Sequence, residues 1–262
     1  MSELSAERAR QAIVEHTKRL ADAATAAGPD AAVPTAPKWT VTELVEHVGQ
    51  TQNWVAEIIE RRITDPTQLP TELAVLPGEA DEWPVWLETS AQRIVSACSD
   101  DAIDAPVFNA AQDGRTGTQF WLASMLNEAV VHGFDAANAA GRSVEVEPDV
   151  AAELISNHLA MLTSATWEMR RPESAHAIRG TGETLQLQAT DDGSGWLIER
   201  RPDGAVWHAG TEQADVTLSG PAQSLLLALT RRLPLAEAPG LTVTGDAALV
   251  DQWIESTPHV DG

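Results

Sequence analysis

Apolar residues in the first half of the chain recur at helical spacing, and proline-rich breaks separate the runs. Residues 3–27 predict a first helix, ended by "GPDAAVPTAP", whose glycine and three prolines cannot continue it. A second begins at "WTVTELVEH". Thr40 stands as N-cap with Glu43 at the capping-box spacing, and Trp39 precedes the cap as a hydrophobic staple. Val41, Leu44, Val45, Val48, Val55, Ile58 and Ile59 then share a face about 100° wide, until the pattern stops near Arg62. A third helix is expected over 85–99. A fourth is expected over 118–140, closed by Gly141 as a C′ residue. Such helices predict an up-down four-helix bundle.

Beyond Arg142 the period changes. After one more helix, 148–168, the stretch "ETLQLQATDDGSGWLIERRPDGAVWHAG" alternates: Leu185, Leu187 and Ala189, then Trp196 and Ile198, between Gly- and Asp-rich turns, which predicts hairpins. "ADVTLSG" reads as a further strand. "PAQSLLLALTRRL" reads as a helix with Pro221 at its first position, "GLTVTG" as a short buried strand, and "DAALVDQWIEST" as a closing helix. The expected fold is an α+β two-domain chain, with a helical bundle over 1–145 and a small α+β domain over 146–262.

Composition narrows the function. With 262 residues and 43% hydrophobic content, the chain can bury a core without covalent staples. Its one cysteine, Cys98, excludes an intrachain disulfide and a Cys-rich metal knuckle, and reads as an inert helix-end residue. The charged N-terminal stretch lacks the apolar segment of a secretion signal, and nowhere do about 18 apolar residues run unbroken. A cytoplasmic protein is expected, as a monomer or weak homodimer. A net charge of -22 makes nucleic acid and acidic membrane surfaces unsuitable partners.

Chemistry concentrates in "LNEAVVHGFDAANAAG". Glu128 and His132 lie one helical turn apart and Asp135 returns to the same stripe, flanked by Trp121, Ser124 and Met125. A Glu and a His so spaced can aim at one metal ion, or can form a plain surface pair. His47 lies beside the apolar face of the second helix, on a strip with Thr51, Trp54 and Ile58. It reads either as a third ligand facing a helix crevice or as a solvated boundary residue. Asp135 is open to two readings as well, a hydrogen-bond partner of a ligand His or a surface charge. Trp54, Trp121 and Met125 share strips with these residues, so each is either pocket wall or ordinary core. Arg231 and Arg232 end a helix, where cations suit the dipole. His16, His158, His176, His208 and His259 show no partner pattern.

"WTVTELVEHVGQTQNWV", followed later by "NEAVVHGFDAA", resembles the mycothiol-dependent maleylpyruvate isomerase family of actinobacteria, whose N-terminal domain is a DinB-like four-helix bundle. In that family the His of W-T-x-x-x-L-x-x-H and the Glu and His of E-x-x-x-H-x-x-D bind a divalent metal, usually zinc. The matching positions are His47, Glu128 and His132. "ADVTLSGPAQSLLLALTRRLPL" and "LTVTGDAALVDQWIE" are similar to the family's small C-terminal α+β domain, often compared with sterol-carrier proteins.

The resemblance implies a zinc-dependent thiol transferase or isomerase, with mycothiol as thiol cosubstrate and an electrophilic small molecule as its partner. Two imidazoles and one carboxylate would leave zinc an open fourth position, where a thiol loses its proton near neutral pH. The resemblance also implies a functional arginine in the C-terminal domain. Arg232 matches better than Arg231, and it would bind a substrate carboxylate. Two other readings remain: a hydrolase using zinc-bound water, and a non-catalytic metal- or ligand-binding module of the same family. Many relatives carry Arg where this chain has Gly133, and the family includes members with no known reaction, so maleylpyruvate is not implied as substrate.

Overall fold

The computed structural model describes residues 4–257. Glu3, the expected start of the first helix, and His259 lie outside the described residues. The chain forms two compact units. One is built from 5–110 and 114–145, the other from 146–257 together with Leu4 and Ala111–Asp113.

The first unit contains α1 (Ala6–Ala27), α2 (Val41–Glu60), α3 (Trp83–Ala97) and α4 (Gly117–Ala139). Local chemistry defines their ends. The Ser5 hydroxyl accepts from the Arg8 N–H at 3.2 Å, which starts α1 at Ala6. Glu43 accepts from both the backbone N–H and the hydroxyl of Thr40, at 2.5 and 2.7 Å, in the box expected at the start of α2. A second box, Thr116 with Gln119, opens α4. Gly141 takes φ 63°, and the Arg142 N–H reaches back to the Ala137 carbonyl at 2.8 Å, closing α4 where a glycine was expected.

The bundle departs from a simple up-down order. α1 packs along α3 and α4, and so does α2, which leaves the consecutive pairs α1/α2 and α3/α4 diagonal to one another. The long connectors 28–40 and 98–116 have the reach for such crossings. The core includes Ile13, Leu20, Leu44, Val48, Ile58, Leu87, Ile94 and Leu126, all fully buried. Each such side chain contributes on the order of 1.5–3 kcal/mol of burial free energy.

In the second unit, the single helix expected over 148–168 is broken. α5 (Pro148–Leu162) stops, Ser164 takes extended dihedrals, and its hydroxyl caps α6 (Ala165–Arg170) by accepting from the Trp167 N–H. Pro172 then opens α7 (Pro172–Ala177). The strands β1 (Thr184–Ala189), β2 (Gly195–Arg201), β3 (Gly204–Ala209), β4 (Val216–Gly220) and β5 (Thr242–Gly245) form one sheet in the order β3-β2-β1-β4-β5. β1 and β4 pair in parallel and the other neighbours are antiparallel. Leu185, Leu187 and Ala189 of β1 and Trp196 and Ile198 of β2 are buried. α8 (Ala222–Leu229) packs on β1, β4 and α5, and α9 (Ala247–Ser256) packs on β4 and α7.

Two expectations here are corrected. Pro221 is the N-cap of α8 and not its first helical residue, because its ψ of 140° is extended. β5 is not buried: it pairs only with β4, at the sheet edge, and all but Val243 of its residues are exposed.

Candidate metal centre

α2 and α4 run antiparallel, and their seam brings distant residues to one level. His47 Nε2 lies 3.0 Å from Glu128 Oε2, and His132 Nε2 lies 3.2 Å from the same oxygen. Ligand atoms of all three side chains fall within 4.8 Å of one another. Four donors around one zinc at about 2.0–2.1 Å would be spaced about 3.3 Å apart, so this cluster needs little adjustment to close on an ion. The side chains are 36%, 24% and 12% exposed for His47, Glu128 and His132, which leaves the cluster open on the His47 side.

Donor chemistry gives a sharper test of fit. His132 Nδ1 lies 2.9 Å from Asp135 Oδ2 while its Nε2 faces Glu128. A neutral imidazole carries one N–H and cannot donate to carboxylates at both nitrogens. The arrangement therefore calls for a cation: either an extra proton on His132, or a metal ion that takes Nε2 and leaves the Nδ1 proton with Asp135. Burial works against charge on His132, yet hydrogen bonds to Asp135 and Glu128 outweigh it and raise its pKa to about 9. Burial likewise opposes charge on Glu128, and the two imidazoles overcome it and hold the carboxyl well below the usual range.

Asp135 is fully buried, and its second oxygen, Oδ1, accepts from the Thr35 hydroxyl at 2.6 Å. Trp39 stands with its ring centroid 4.9 Å from that of His47 and 5.8 Å from that of His132. Neither Thr35 nor the site-facing role of Trp39 emerged from the sequence pattern. Both lie in or beside the proline-rich connector, where no helical period reports which way a side chain points.

The remaining candidates are placed differently. Trp54 and Trp121 meet edge to face at 5.6 Å. Trp54 follows His47 by seven residues and Trp121 precedes Glu128 by seven, so this pair is the next layer of the same seam, about 10 Å along it. Their indole N–H groups donate to the carbonyls of Pro70 and Phe108. Met125 is buried in the core. A cleft of about 620 Å³ lies along the face of α2 that carries Thr42, Glu46 and Gln50, beside the 73–80 loop, and is lined by none of the three candidate ligands. A side chain at Gly133 would start toward α1, where the His16 carbonyl oxygen is the nearest atom at 3.7 Å, and not toward the cluster. Arg232 belongs to the second unit, in the turn after α8, with Nη1 donating to the Thr230 carbonyl at 3.2 Å. Arg231 beside it has φ 58°. Among the described residues, no helix is long and apolar enough to cross a membrane.

Comparison with known proteins adds two domain matches. The model for the mycothiol maleylpyruvate isomerase N-terminal domain matches residues 10–137, which contain the whole cluster, and the model for the SCP-2 sterol transfer family matches residues 165–255. No curated protein matches the chain. Among solved structures, a UbiJ-SCP2 ubiquinone synthesis protein is 17% identical, covering 44% of this chain and 93% of that one, with a TM-score of 0.30. A double mutant of the sec-alkyl sulfatase PisA1 is 13% identical over 80% of this chain and 43% of the sulfatase, with a TM-score of 0.32. The stereoselective inverting sec-alkylsulfatase Pisa1 from Pseudomonas sp. is 14% identical over 85% and 46%, with a TM-score of 0.30. The chain thus spans less than half the length of the two sulfatase structures. The two matches give the pair of domains that the sequence resemblance implied, a mycothiol maleylpyruvate isomerase N-terminal domain followed by an SCP-2-type domain.

Proposed function

We propose that this chain is a metal-dependent, mycothiol-using enzyme of transferase or isomerase type, acting on an electrophilic small molecule. His47 through Nε2, Glu128 through its carboxylate and His132 through Nε2 would hold one divalent cation, zinc in this reading. When bound, the ion supplies a Lewis-acidic position at which a low-molecular-weight thiol is favoured as thiolate, the nucleophilic form of sulfur.

The protein's own groups serve that chemistry in distinct ways. Asp135 keeps the proton of His132 at Nδ1, which leaves the Nε2 lone pair for the cation. Glu128 stays ionised and contributes the one negative charge among the three ligands. Trp39 walls the cluster beside both imidazoles, while the exposed edge of His47 gives a ligand access. Cys98 cannot supply the sulfur: it is buried, and burial pushes its thiol up to about 12 despite the nearby Arg10. The nucleophile therefore comes from solution. For Arg232 we propose binding of an anionic group of the substrate, the role that the family resemblance implies.

The observation that carries this reading is His132 with a carboxylate at each ring nitrogen, one of them shared with a second imidazole. Metal-stripped protein should take up one equivalent of Zn²⁺ or Co²⁺ in a calorimetric titration, and consume an electrophile only when thiol and metal are both present. No stoichiometric uptake would end the proposal. Turnover without thiol would assign the site to hydrolysis by metal-activated water instead.

A further inference from the structure

The connector between α1 and α2 is an ordered loop in spite of its prolines. The Val33 N–H donates to the Trp39 carbonyl at 3.0 Å, Ala36 N–H to Val33 at 3.0 Å, Trp39 N–H to Ala36 at 2.8 Å and Val41 N–H to Ala31 at 2.9 Å. An isolated β-bridge joins Ala32 to Thr40. These closures fold the segment back on itself and set the Thr35 hydroxyl 2.6 Å from Asp135 Oδ1, on the oxygen that His132 does not use. A carboxylate only accepts, so the hydroxyl is the donor.

We propose that Thr35 is a positioning residue of the metal centre, fixing the Asp135 carboxylate so that Asp135 in turn fixes the His132 ring with Nε2 toward Glu128 and His47. The inference rests on the metal-site reading above. Its physical basis is the freedom of a carboxylate to rotate about its last bond. Donors on opposite oxygens, Thr35 on Oδ1 and His132 on Oδ2, define the carboxylate plane. Asp135 is fully buried, so bulk water is not at hand to replace a lost donor. Without the hydroxyl, the carboxylate loses the restraint that Thr35 places on Oδ1, and any rotation of it carries the imidazole along. A ligand nitrogen that must sit about 2.0–2.1 Å from zinc tolerates little of that motion. Because Trp39 leaves the same loop to lie against both imidazoles, the connector supports the cluster at two points.

The test compares Co²⁺ binding by wild type, Thr35→Val, which keeps the shape without the hydroxyl, and Thr35→Ser, which keeps the hydroxyl. Affinity is read by chelator competition and coordination by the cobalt visible absorption band. Removing an outer hydrogen-bond partner weakens metal binding by about 10–100-fold, and Thr35→Val is expected near the lower end, with an altered band, while Thr35→Ser stays within about twofold of wild type. Thermal melts of the metal-free proteins establish that each variant is folded at the titration temperature, and Thr35→Ala replaces Thr35→Val if the latter is not. Equal affinity and an unchanged band in the hydroxyl-less variant overturn the role of Thr35. So does a Thr35→Ser variant as weak as Thr35→Val, which would assign the effect to the methyl group. Wild type that binds no Co²⁺ overturns the metal site itself, a result distinguishable from the other two.

Discussion

The α2/α4 seam and the packing beneath β2 both bury a side chain able to carry positive charge, and they satisfy it in opposite ways. Arg200 on β2 is 4% exposed, and its guanidinium donates to the carbonyls of Ala177, Ile178 and Arg179 and to Gln252 Oε1, at 2.8–3.2 Å. Three of those oxygens lie at or just past the C-terminal end of α7, so Arg200 closes a helix end and ties it to α9. Every one of these acceptors is a neutral oxygen, and the site faces inward. At the seam, by contrast, two carboxylates converge on two imidazoles, and the cluster reaches the surface at His47. One region saturates a fixed charge. The other collects acceptors beyond what a neutral ring can satisfy, and so calls for a proton or a metal ion.

The comparison breaks most visibly at Glu128. Glu128→Ala removes the oxygen that both imidazoles face, and metal affinity should fall by more than the roughly 100-fold upper figure for an outer-shell partner, with thiol-dependent turnover lost alongside. Calorimetric titration checks it. A variant that binds zinc as wild type does would make the seam an ordinary polar contact. The counterpart in the second unit is Arg200→Met, which takes this donor from one buried and two partly buried carbonyls. A loss of about 3 kcal/mol is expected, lowering the melting temperature by roughly 10 °C. Metal affinity measured below the melt should not change, because all three proposed ligands belong to the first unit.

How much of this was legible in the sequence follows from the range of each signal. The Thr40/Glu43 box, the Gly141 stop and the spacing of Glu128, His132 and Asp135 are local features, and the elements they predict are present within two or three residues. The α5/α6 break was missed because Ser164 competes with the helix through one hydroxyl, which no apolar period reports. β5 looked buried because its few residues are apolar in pattern, whereas its edge position is set by sheet order. The order of helices around the bundle is long-range in the same sense. At the site, the motif names the three side chains that the fold brings together. Thr35 and Trp39 depend on the path of a loop held by its own backbone hydrogen bonds, and only coordinates reveal that path.

The pH dependence of metal binding sharpens the contrast further. A metal ion must displace the proton that His132 holds between its two carboxylates, with a pKa raised to about 9. Below that value the proton competes, so apparent affinity should rise by about tenfold per pH unit toward pH 9 and level off above it. At pH 7 the affinity should therefore lie well below its plateau, which titrations in a non-coordinating buffer can measure. In the metal-free protein the sign is reversed for stability. The raised value means that the imidazolium stabilises the fold fully below the ordinary histidine value of 6.5, a contribution lost as pH climbs through about 9. The zinc-loaded protein should lack that decline.

The smallest effect is expected at Cys98, and it separates the source of the sulfur from the scaffold. The Cys98 side chain is fully buried at the end of α3, and the Arg10 guanidinium donates to its backbone carbonyl at 3.0 Å, a contact that any residue at this position can make. Cys98→Ala should cost about 1 kcal/mol of stability for the lost sulfur contact and leave metal affinity and thiol-dependent turnover at wild-type levels. Alkylating reagents should label the native protein slowly, at a rate set by opening of the fold, because burial keeps the thiol protonated up to about pH 12. Rapid native labelling, or turnover that disappears with Cys98 while zinc still binds, would mean that the chain carries its own nucleophile. The open coordination position would then have no need of an external thiol.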